Sequence, residues 1–276
     1  MTNFNFAYLK YFFDAATHEN LSAAARENHV SQSAVSQGVS KLESALNAKL
    51  TTHQKNKFKL TEEGEIVFKE ASRLFSAMEG IKDRLSELKG EIRGDVKFAC
   101  TNALAQFFLP EYYLKMKKHY PKVALKFHRG SLNFIHEALR QEKVSFALVL
   151  DAPEFDAYDS TPIKKGVFKL YQKKGAKVDN QIIVDHEKNL EVIELRKRYY
   201  ERFQKPLEIK DFVSGWALVH RFVEMGYGIG YLPDFMAQNL KEVKLDIKPI
   251  RYSISVIRLK GSPSTRAEKA FIDLLK

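Results

Sequence analysis

The stretch Asn20–Leu46, NLSAAARENHVSQSAVSQGVSKLESAL, constrains this chain more than any other. Its pattern fits two short helices joined by a tight turn. Ala23, Ala24 and Ala25 give the first helix a surface that another helix can approach closely. Asn28-His29 ends it, and Ser31 is placed to cap the next. In that second helix Val35, Val39, Leu42 and Leu46 recur at i, i+4, i+7 and i+11, which makes one buried stripe. The opposite face carries Gln32, Ser33, Ser36, Gln37, Ser40 and Lys41. A merely solvated face is usually built from Lys and Glu. Short hydroxyls and amides donate to phosphates and read base edges, and small residues let a helix backbone sit deep in a major groove. The expectation is a helix-turn-helix whose second helix enters DNA. An ordinary helical hairpin with a polar exterior fits the Ser/Gln face equally well when that face is taken alone.

The next residues favour the first reading. In His53–Thr61, Lys55, Lys57 and Lys59 alternate with Asn56, Phe58 and Leu60, as in a short β-hairpin with a basic edge. A basic hairpin directly after such a helix is a wing, placed to touch the sugar-phosphate backbone.

In these residues the chain resembles the LysR-type transcriptional regulators. The likeness runs through SAAA, SQSAVS, KLESAL and KL between Leu21 and Leu50, then KLTEEGE at Lys59–Glu65. It continues in GEIRGDVKFAC at Gly90–Cys100 and HYPKVALKF at His119–Phe127, and more loosely in VEMGYGIGYLP at Val223–Pro233. Departures fall where DNA would lie. The family usually has Leu and Gly where this chain has Asn28 and His29, Arg often where it has Gln37, and Phe and Arg where it has Thr51 and His53. Asn and His tolerate a left-handed turn, so the motif survives, but charge is lost from the DNA-facing region. The resemblance implies an α/β fold class with an N-terminal α region. Its parts are a winged helix-turn-helix domain (1–60), a linker or dimerisation helix (61–90) and a two-lobe, periplasmic-binding-protein-like effector domain (91–276). Lobe I would hold about 95–153 and 260–276, and lobe II about 160–255.

Sequence texture agrees with that division. Phe6–His18 is a first helix with Leu9, Phe12, Phe13 and Ala16 inward. Thr61 is an N-cap candidate, with Glu62, Glu63 and Glu65 in the first turn of a long helix to about Lys89, stopped at Gly90. Its Ala71, Leu74, Met78, Ile81, Leu85 and Leu88 alternate by three and four, a heptad seam. A helix of roughly 40 Å with so narrow a seam cannot bury itself against a small domain, so Leu74, Met78, Ile81 and Leu85 are candidate dimerisation residues.

From Asp95 onward strands and helices alternate: Val96–Cys100, a helix Phe108–Tyr120, VALKFH, a helix Ser131–Gln141, and Val144–Leu150. Such alternation gives a parallel sheet with right-handed crossovers. Asp151–Ser160 is the expected connector into lobe II. There strands are expected near Gly166–Tyr171, Gln181–Val184 and Gly228–Tyr231, and helices near Leu190–Gln204 and Trp216–Met225. Tyr252–Leu259 returns to lobe I, where Ser262-Pro263 would cap a last helix.

Ligands of parallel α/β sheets sit beyond the carboxyl ends of strands. Thr101-Asn102 and Ser131 stand at two such ends, each offering polar groups beside free helix N–H groups, which suits a small anionic ligand. As single residues Thr101 and Ser131 fit plain N-caps better. The family resemblance adds the start of the helix containing Trp216 as a third part of the effector site.

Composition bounds the rest. Net charge is +11, yet residues 1–90 carry 12 Lys/Arg against 11 Asp/Glu, so +10 lies in 91–276. Global charge therefore says little about the DNA site and fits solubility. No apolar run reaches the ~18–20 residues of a membrane span, no basic-then-apolar leader opens the chain, and a single Cys100 fits a reducing cytoplasm. An apolar strand end with no neighbouring basic residue makes Cys100 a buried inert thiol rather than a redox sensor. Gly226–Gly230 (GYGIG) follows a helix and enters a strand, the reverse of a phosphate loop, so Gly226 is a helix C-cap. Asp185-His186-Glu187 fits a solvated turn and His220 a packing residue. No catalytic, cofactor or metal constellation stands out.

Three classes compete. One is a ligand-responsive regulator with double-stranded DNA, an effector and its own copies (dimer or tetramer) as partners, and RNA polymerase as a further candidate. The second is a cytoplasmic small-molecule receptor of binding-protein type with weak or degenerate DNA binding, and the third is an enzyme using the cleft. The resemblance favours the first.

Overall fold

The computed structural model describes residues 5–54, 57–87, 91–150, 155, 157–176 and 181–276. They fall into two compact units, Met1–Lys89 and Gly90–Lys276.

The first unit opens with α1 (Phe6–His18), capped by Asn5, whose side chain accepts from the Ala7 N–H. Helix α2 (Leu21–Glu27) starts at Asn20, whose side chain accepts from Ala23 N–H. His29 takes φ 55° in the turn, so the left-handed position is filled by a tolerant residue. Helix α3 (Gln32–Leu46) starts at Ser31, whose hydroxyl accepts from Ala34 N–H. The stripe is inside as expected: Val35 and Leu42 are fully buried, Val39 nearly so, and Leu46 half-buried. With Phe12, Leu50 and Phe68 they form one core. At ~1.5–3 kcal/mol per fully buried large apolar side chain, these few residues outweigh any single cap. Gly38 permits the closeness of α1 and α3, since a Cβ there would stand 2.7 Å from the Tyr11 ring.

Strands β1 (Thr51–Gln54) and β2 (Lys57–Leu60) pair antiparallel, with Thr51 opposite Leu60. Helix α4 (Glu62–Glu87) follows, its start held by Thr61, whose hydroxyl accepts from Gly64 N–H at 2.9 Å. Gly64 abuts the wing so closely that a Cβ would overlap the Leu50 carbonyl oxygen. The 26 residues of α4 span ~39 Å. Ala71 is buried in the unit's core, whereas Leu74 and Met78 (43 % each), Ile81 (58 %) and Leu85 (59 %) are exposed. Leu88 and the expected stop at Gly90 lie outside the described residues.

The second unit is built on a nine-stranded sheet of order β4-β3-β5-β11-β6-β9-β7-β8, with β10 paired to β6. Strand β3 (Gly94–Cys100) leads into a helical segment that begins at Asn102, passes through a π-helical turn at Leu104–Phe108 and continues as α5 (Leu109–His119). The helix therefore starts six residues before the Phe108 expected from the sequence. Strand β4 (Val123–Arg129), α6 (Leu132–Arg140) and β5 (Phe146–Leu150) complete a parallel β4-β3-β5 group, which we call lobe I.

The long strand β6 (Asp159–Lys173) follows, so the connector is shorter than its expected end at Ser160; Asp151–Glu154 and Asp156 lie outside the described residues. Strand β7 (Ile182–Val184), α7 (Leu190–Phe203), the two-residue β8 (Asp211–Phe212), α8 (Trp216–Met225) and β9 (Ile229–Pro233) make lobe II, with β7 parallel to β8 and β9. Strand β10 (Leu240–Val243) adds to β6, and β11 (Ile250–Arg258) runs antiparallel to β6 along its length. Because β11 also pairs with β5, and β6 with β9, these two strands join both lobes into one sheet. Helix α9 (Arg266–Leu275) closes lobe I. Its cap is not Ser262-Pro263 but Thr265, in a capping box with Glu268. Among the described residues no helix is long and apolar enough to cross a membrane.

Candidate nucleic-acid interface and effector cleft

The solvent face of α3 follows from the burial of its opposite side. Gln32, Ser33, Ser36, Gln37, Ser40 and Lys41 are all exposed, while Gly38, Val39, Leu42 and Glu43 are buried. Two neighbours fix this face in ways the residue pattern did not announce. The Ser22 hydroxyl of α2 donates to Gln32 Oε1 at 3.2 Å, which holds the first amide of the face. Lys41 Nζ lies 5.6 Å from the centroid of the Tyr8 ring, a cation–π contact that steadies the last cation of the face.

The wing is tied to α3 by a buried carboxylate. Glu43 accepts from the backbone N–H groups of Leu50 (2.9 Å) and Thr51 (3.1 Å), and its other oxygen accepts from Lys49 Nζ at 2.8 Å. Burial works to raise the Glu43 pKa, but the Lys49 bond and the two amides overcome it and hold the carboxyl below its usual range. One side chain thereby sets where the hairpin leaves the helix. Strand β2 carries Lys57, and Lys55 lies outside the described residues.

A second polar group spans α1 and α2. Asn28, where the family usually has Leu, donates through Nδ2 to the buried Asp14 carboxylate at 2.5 Å and to the Ala24 carbonyl at 2.9 Å. Asp14 is also ion-paired with Lys10. The substitution of Asn for an apolar residue is thus matched by a buried acceptor.

In the second unit, parallel pairing sets Cys100 opposite Arg129, and Gly130 N–H donates to the Cys100 carbonyl at 3.1 Å. The turns carrying Thr101 and Ser131 are therefore neighbours. Ser131 is an exposed N-cap, accepting from Phe134 N–H at 3.3 Å. Thr101 makes no such cap: its hydroxyl oxygen is buried and has no hydrogen-bond partner. Asn102 is exposed.

Trp216 stands at the first turn of α8, half-buried against Phe168 (ring centroids 5.3 Å). Ala103, two residues beyond Thr101, packs in the same apolar cluster as Val213 and Trp216. Phe107 of the π-helical turn lies 4.6 Å, centroid to centroid, from His220 of α8. The start of the lobe I helix and the start of α8 thus meet, with apolar side chains between them. A separate apolar recess of about 510 Å³ lies in lobe I between α5 and β4, lined by Leu109, Tyr113, Leu114, Leu125 and Phe127 among others. None of the four expected effector residues lines it.

Lobe II adds two carboxylates to this junction. Asp185, at the carboxyl end of β7, accepts the Gly215 N–H at 2.6 Å, directly before α8. The Asp185-His186-Glu187 segment is the expected solvated turn, and Asp185 in it also holds the start of α8. Glu191, in the first turn of α7, accepts from Asn189 Nδ2 at 3.2 Å. Burial pushes the Glu191 carboxyl up, and Asp185 adds to the shift. His220 is buried, which holds its pKa down, with Glu224 3.6 Å away working the other way. Cys100 is fully buried, and burial pushes its thiol up to about 12, which leaves no reactive thiolate near neutral pH. Gly226, at φ 85°, ends α8 as a left-handed C-cap.

Comparison with known proteins places these geometries. Residues 6–65 match the family described as bacterial regulatory helix-turn-helix protein, lysR family. The transcriptional dual regulator GltC of Bacillus subtilis is 29% identical over 145 residues, 52% of this chain and 48% of its own length. The HTH-type transcriptional regulator CysB of Haemophilus influenzae is 31% identical over 135 residues, 49% of this chain and 42% of its own. The chain thus spans about half the length of the curated relatives it matches. Among solved structures, full-length OxyR of Pseudomonas aeruginosa superposes with a TM-score of 0.73 at 16% identity, covering 99% of this chain and 95% of that one. Full-length CbnR in complex with its target DNA superposes with a TM-score of 0.62 at 18% identity, covering 98% of each chain. At such identities the structural likeness speaks for the fold, and it carries both units. A capped helix-turn-helix with a wing thus matches the lysR-family helix-turn-helix over residues 6–65, and the long helix and two-lobe α/β unit share the fold of full-length OxyR and CbnR.

Proposed function

We propose that the chain is a DNA-binding transcriptional regulator of the LysR type, working as a homo-oligomer in the cytoplasm under control of a small molecule bound between lobes I and II. The observation that carries the DNA-binding half is the face of α3. Six polar residues, four of them Ser or Gln within Gln32–Gln37, are exposed on a helix whose other side is fixed in a core. Such a face, followed by a hairpin bearing Lys57 and Lys59, supplies base-reading groups on the helix and phosphate-binding groups on the wing. CbnR, which shares the fold, was solved on its target DNA. RNA polymerase is the partner such a regulator acts on.

The test is fluorescence anisotropy of the full chain with duplexes from upstream of its own coding region, at stated salt, against a scrambled duplex. A preference of at least about 10³-fold for one upstream segment is expected. Equal affinity for scrambled DNA would overturn this half and favour a receptor with degenerate DNA binding.

The effector half rests on Thr101, a buried hydroxyl without a partner, beside Asn102, Ser131 and the start of α8. The free N–H groups of two helix starts favour a ligand with an anionic group on the lobe I side. Entry requires the π-helical turn and α8 to part, so ligand binding changes how the lobes meet. Thr101→Val keeps the shape and removes the donor. It should abolish the change in operator affinity caused by a ligand found by thermal-shift screening. An unchanged response would exclude this site.

A further inference from the structure

His220 of α8 stands where lobe II meets lobe I. It is 5 % exposed, and its Nε2 is buried with no hydrogen-bond partner among the described residues. Its ring faces Phe107 of the π-helical turn, with centroids 4.6 Å apart and planes at 59°. Phe107 in turn packs on an apolar cluster that includes Ala103, Val219, Val223 and Met236. A neutral imidazole suits such a place. An imidazolium does not, because both its nitrogens carry N–H groups and the buried one has nothing to accept its proton.

The charged groups nearby do not change this. Glu224, one turn along α8, lies 3.6 Å from His220 Nδ1, and Arg221 already shares its carboxylate at 3.3 Å. Burial is the largest influence on the ring and holds its pKa down; Glu224 and the Met236 backbone work against burial, and Arg221 works with it. The π-helical turn (Leu104–Phe108) and β7 (Ile182–Val184) hold no titratable residue. Asp185, after β7, is bound to Gly215 N–H, and Asp234, after β9, to the Tyr252 hydroxyl and Val167 N–H. Burial pushes Tyr171 of β6 and Tyr231 of β9 upward, so both are neutral near pH 7. On β6, Lys169 is paired with Glu242, and Lys164, Lys165 and Lys173 are exposed.

We propose that His220 is a proton-operated latch between the lobes: when its imidazole takes up a proton, α8 and the π-helical turn part and the ring is hydrated. The proton comes from solvent, and no covalent bond other than its N–H is made or broken. The closed junction binds the proton less well than the open one, so acid favours the open form and neutral pH restores the closed one. One proton is taken up per opening, so the open-to-closed ratio changes by at most about tenfold per pH unit, beginning below the ordinary histidine value of 6.5. The same surfaces must part for a ligand to enter, so acid and ligand act on one equilibrium. That last step rests on the reading that the effector binds between the lobes; the latch itself does not.

The chain carries its own reporter. Trp216, its sole tryptophan, begins α8 and is half-buried on the same apolar cluster. Acrylamide quenching of its fluorescence in the full chain, titrated from pH 8 to pH 5, reads the junction. The quenching constant should rise at least about twofold between pH 7.5 and 5.5, with the slope of one proton. His220→Phe keeps an aromatic ring against Phe107 and cannot titrate, so its quenching should stay at the pH 8 value throughout. His220→Gln, which does not titrate either, takes its place if the Phe variant loses the circular dichroism of wild type. Hydrogen exchange, scaled for the intrinsic rate at each pH, should show residues 104–108 and the first turn of α8 losing protection together in acid, in wild type and not in the variants. Quenching that is flat in wild type, or a rise that persists in both variants, overturns the latch. So does loss of protection across the whole second unit, which is unfolding and not the parting of one junction. If the latch titrates as expected while Thr101→Val leaves the response to a screened ligand unchanged, the latch stands and the reading of the effector cleft falls.

Discussion

Glu43 shows how one residue can set the geometry of an interface it does not form. It faces the core, yet it joins the end of α3 to the first strand of the wing through two backbone amides. Removing such bonds costs about 1–3 kcal/mol, because the amides are left unpaired near the core. Glu43→Ala should therefore lower stability by that amount in urea unfolding at neutral pH and also shift the wing. The pH dependence has a definite sign. The Glu43 pKa is held below its unfolded value, so its contribution is present above the unfolded value of 4.5 and fades as pH falls through the folded one. The gap between wild type and Glu43→Ala should close in acid; a gap constant down to pH 3 would show that the carboxylate charge is not involved. His220 acts in the same direction for a different reason. Burial depresses its pKa from 6.5, so the unfolded chain binds more protons in mildly acidic solution and stability falls as pH drops below 6.5. His220→Leu should flatten that dependence between pH 7 and 5, measured as melting temperature.

The elements that local chemistry decides were legible in the residues. Ser31 and Thr61 cap the helices they precede because a side-chain oxygen needs only the N–H three residues on. The same signal stood in the Thr265-Arg266-Ala267-Glu268 box before α9, where the Ser262-Pro263 pair was a weaker guide. Pairing at long range was not legible. Strand β6 begins at Asp159 and runs through Lys164, Lys165 and Lys169, which give it little apolar alternation; its partners β11, β9 and β10 hold it extended. The π-helical turn at Leu104–Phe108 likewise has no local signature and follows from packing against Asp234–Met236 and α8. For the two elements proposed to face DNA the roles differ, and so should their variants. Gln32→Ala on α3 should cost about 1–3 kcal/mol of specific binding through a lost base contact. Lys57→Ala on β2 should weaken all sequences alike and shallow the slope of log affinity against log salt by about 1. Anisotropy titrations on operator and scrambled duplexes distinguish them. Equal loss on both duplexes for Gln32→Ala would remove it from the base-reading set.

At the scale of the whole molecule, the apolar stripe of α4 is exposed among the described residues. Leu74, Met78, Ile81 and Leu85 recur on one face and are each 43–59 % exposed, whereas Ala71 on the same face is buried in the core of the first unit. The helix therefore leaves its domain with the stripe still running. Burying four such side chains is worth roughly 1.5–3 kcal/mol each when complete, enough to make a second copy of α4 the natural cover. On the proposed function, a dimer would also let lobe motion reach DNA. Two α3 helices must match two half-sites about one helical turn apart, so whatever sets the distance between two copies sets affinity. The prediction concerns assembly first and DNA second. Ile81→Glu would place an unpaired charge in the seam, and breaking an apolar interface in this way costs several kcal/mol. Sedimentation velocity at micromolar chain should then show monomers where wild type shows dimers. Operator binding should fall while the circular dichroism of α3 and α4 is retained. Glu65→Gln, on the same helix but outside the stripe, is the control and should leave the dimer intact. If Ile81→Glu still sediments as a dimer, the copies are joined elsewhere. The apolar recess of lobe I between α5 and β4, with Leu114 71 % exposed at its edge, is then the surface to alter next.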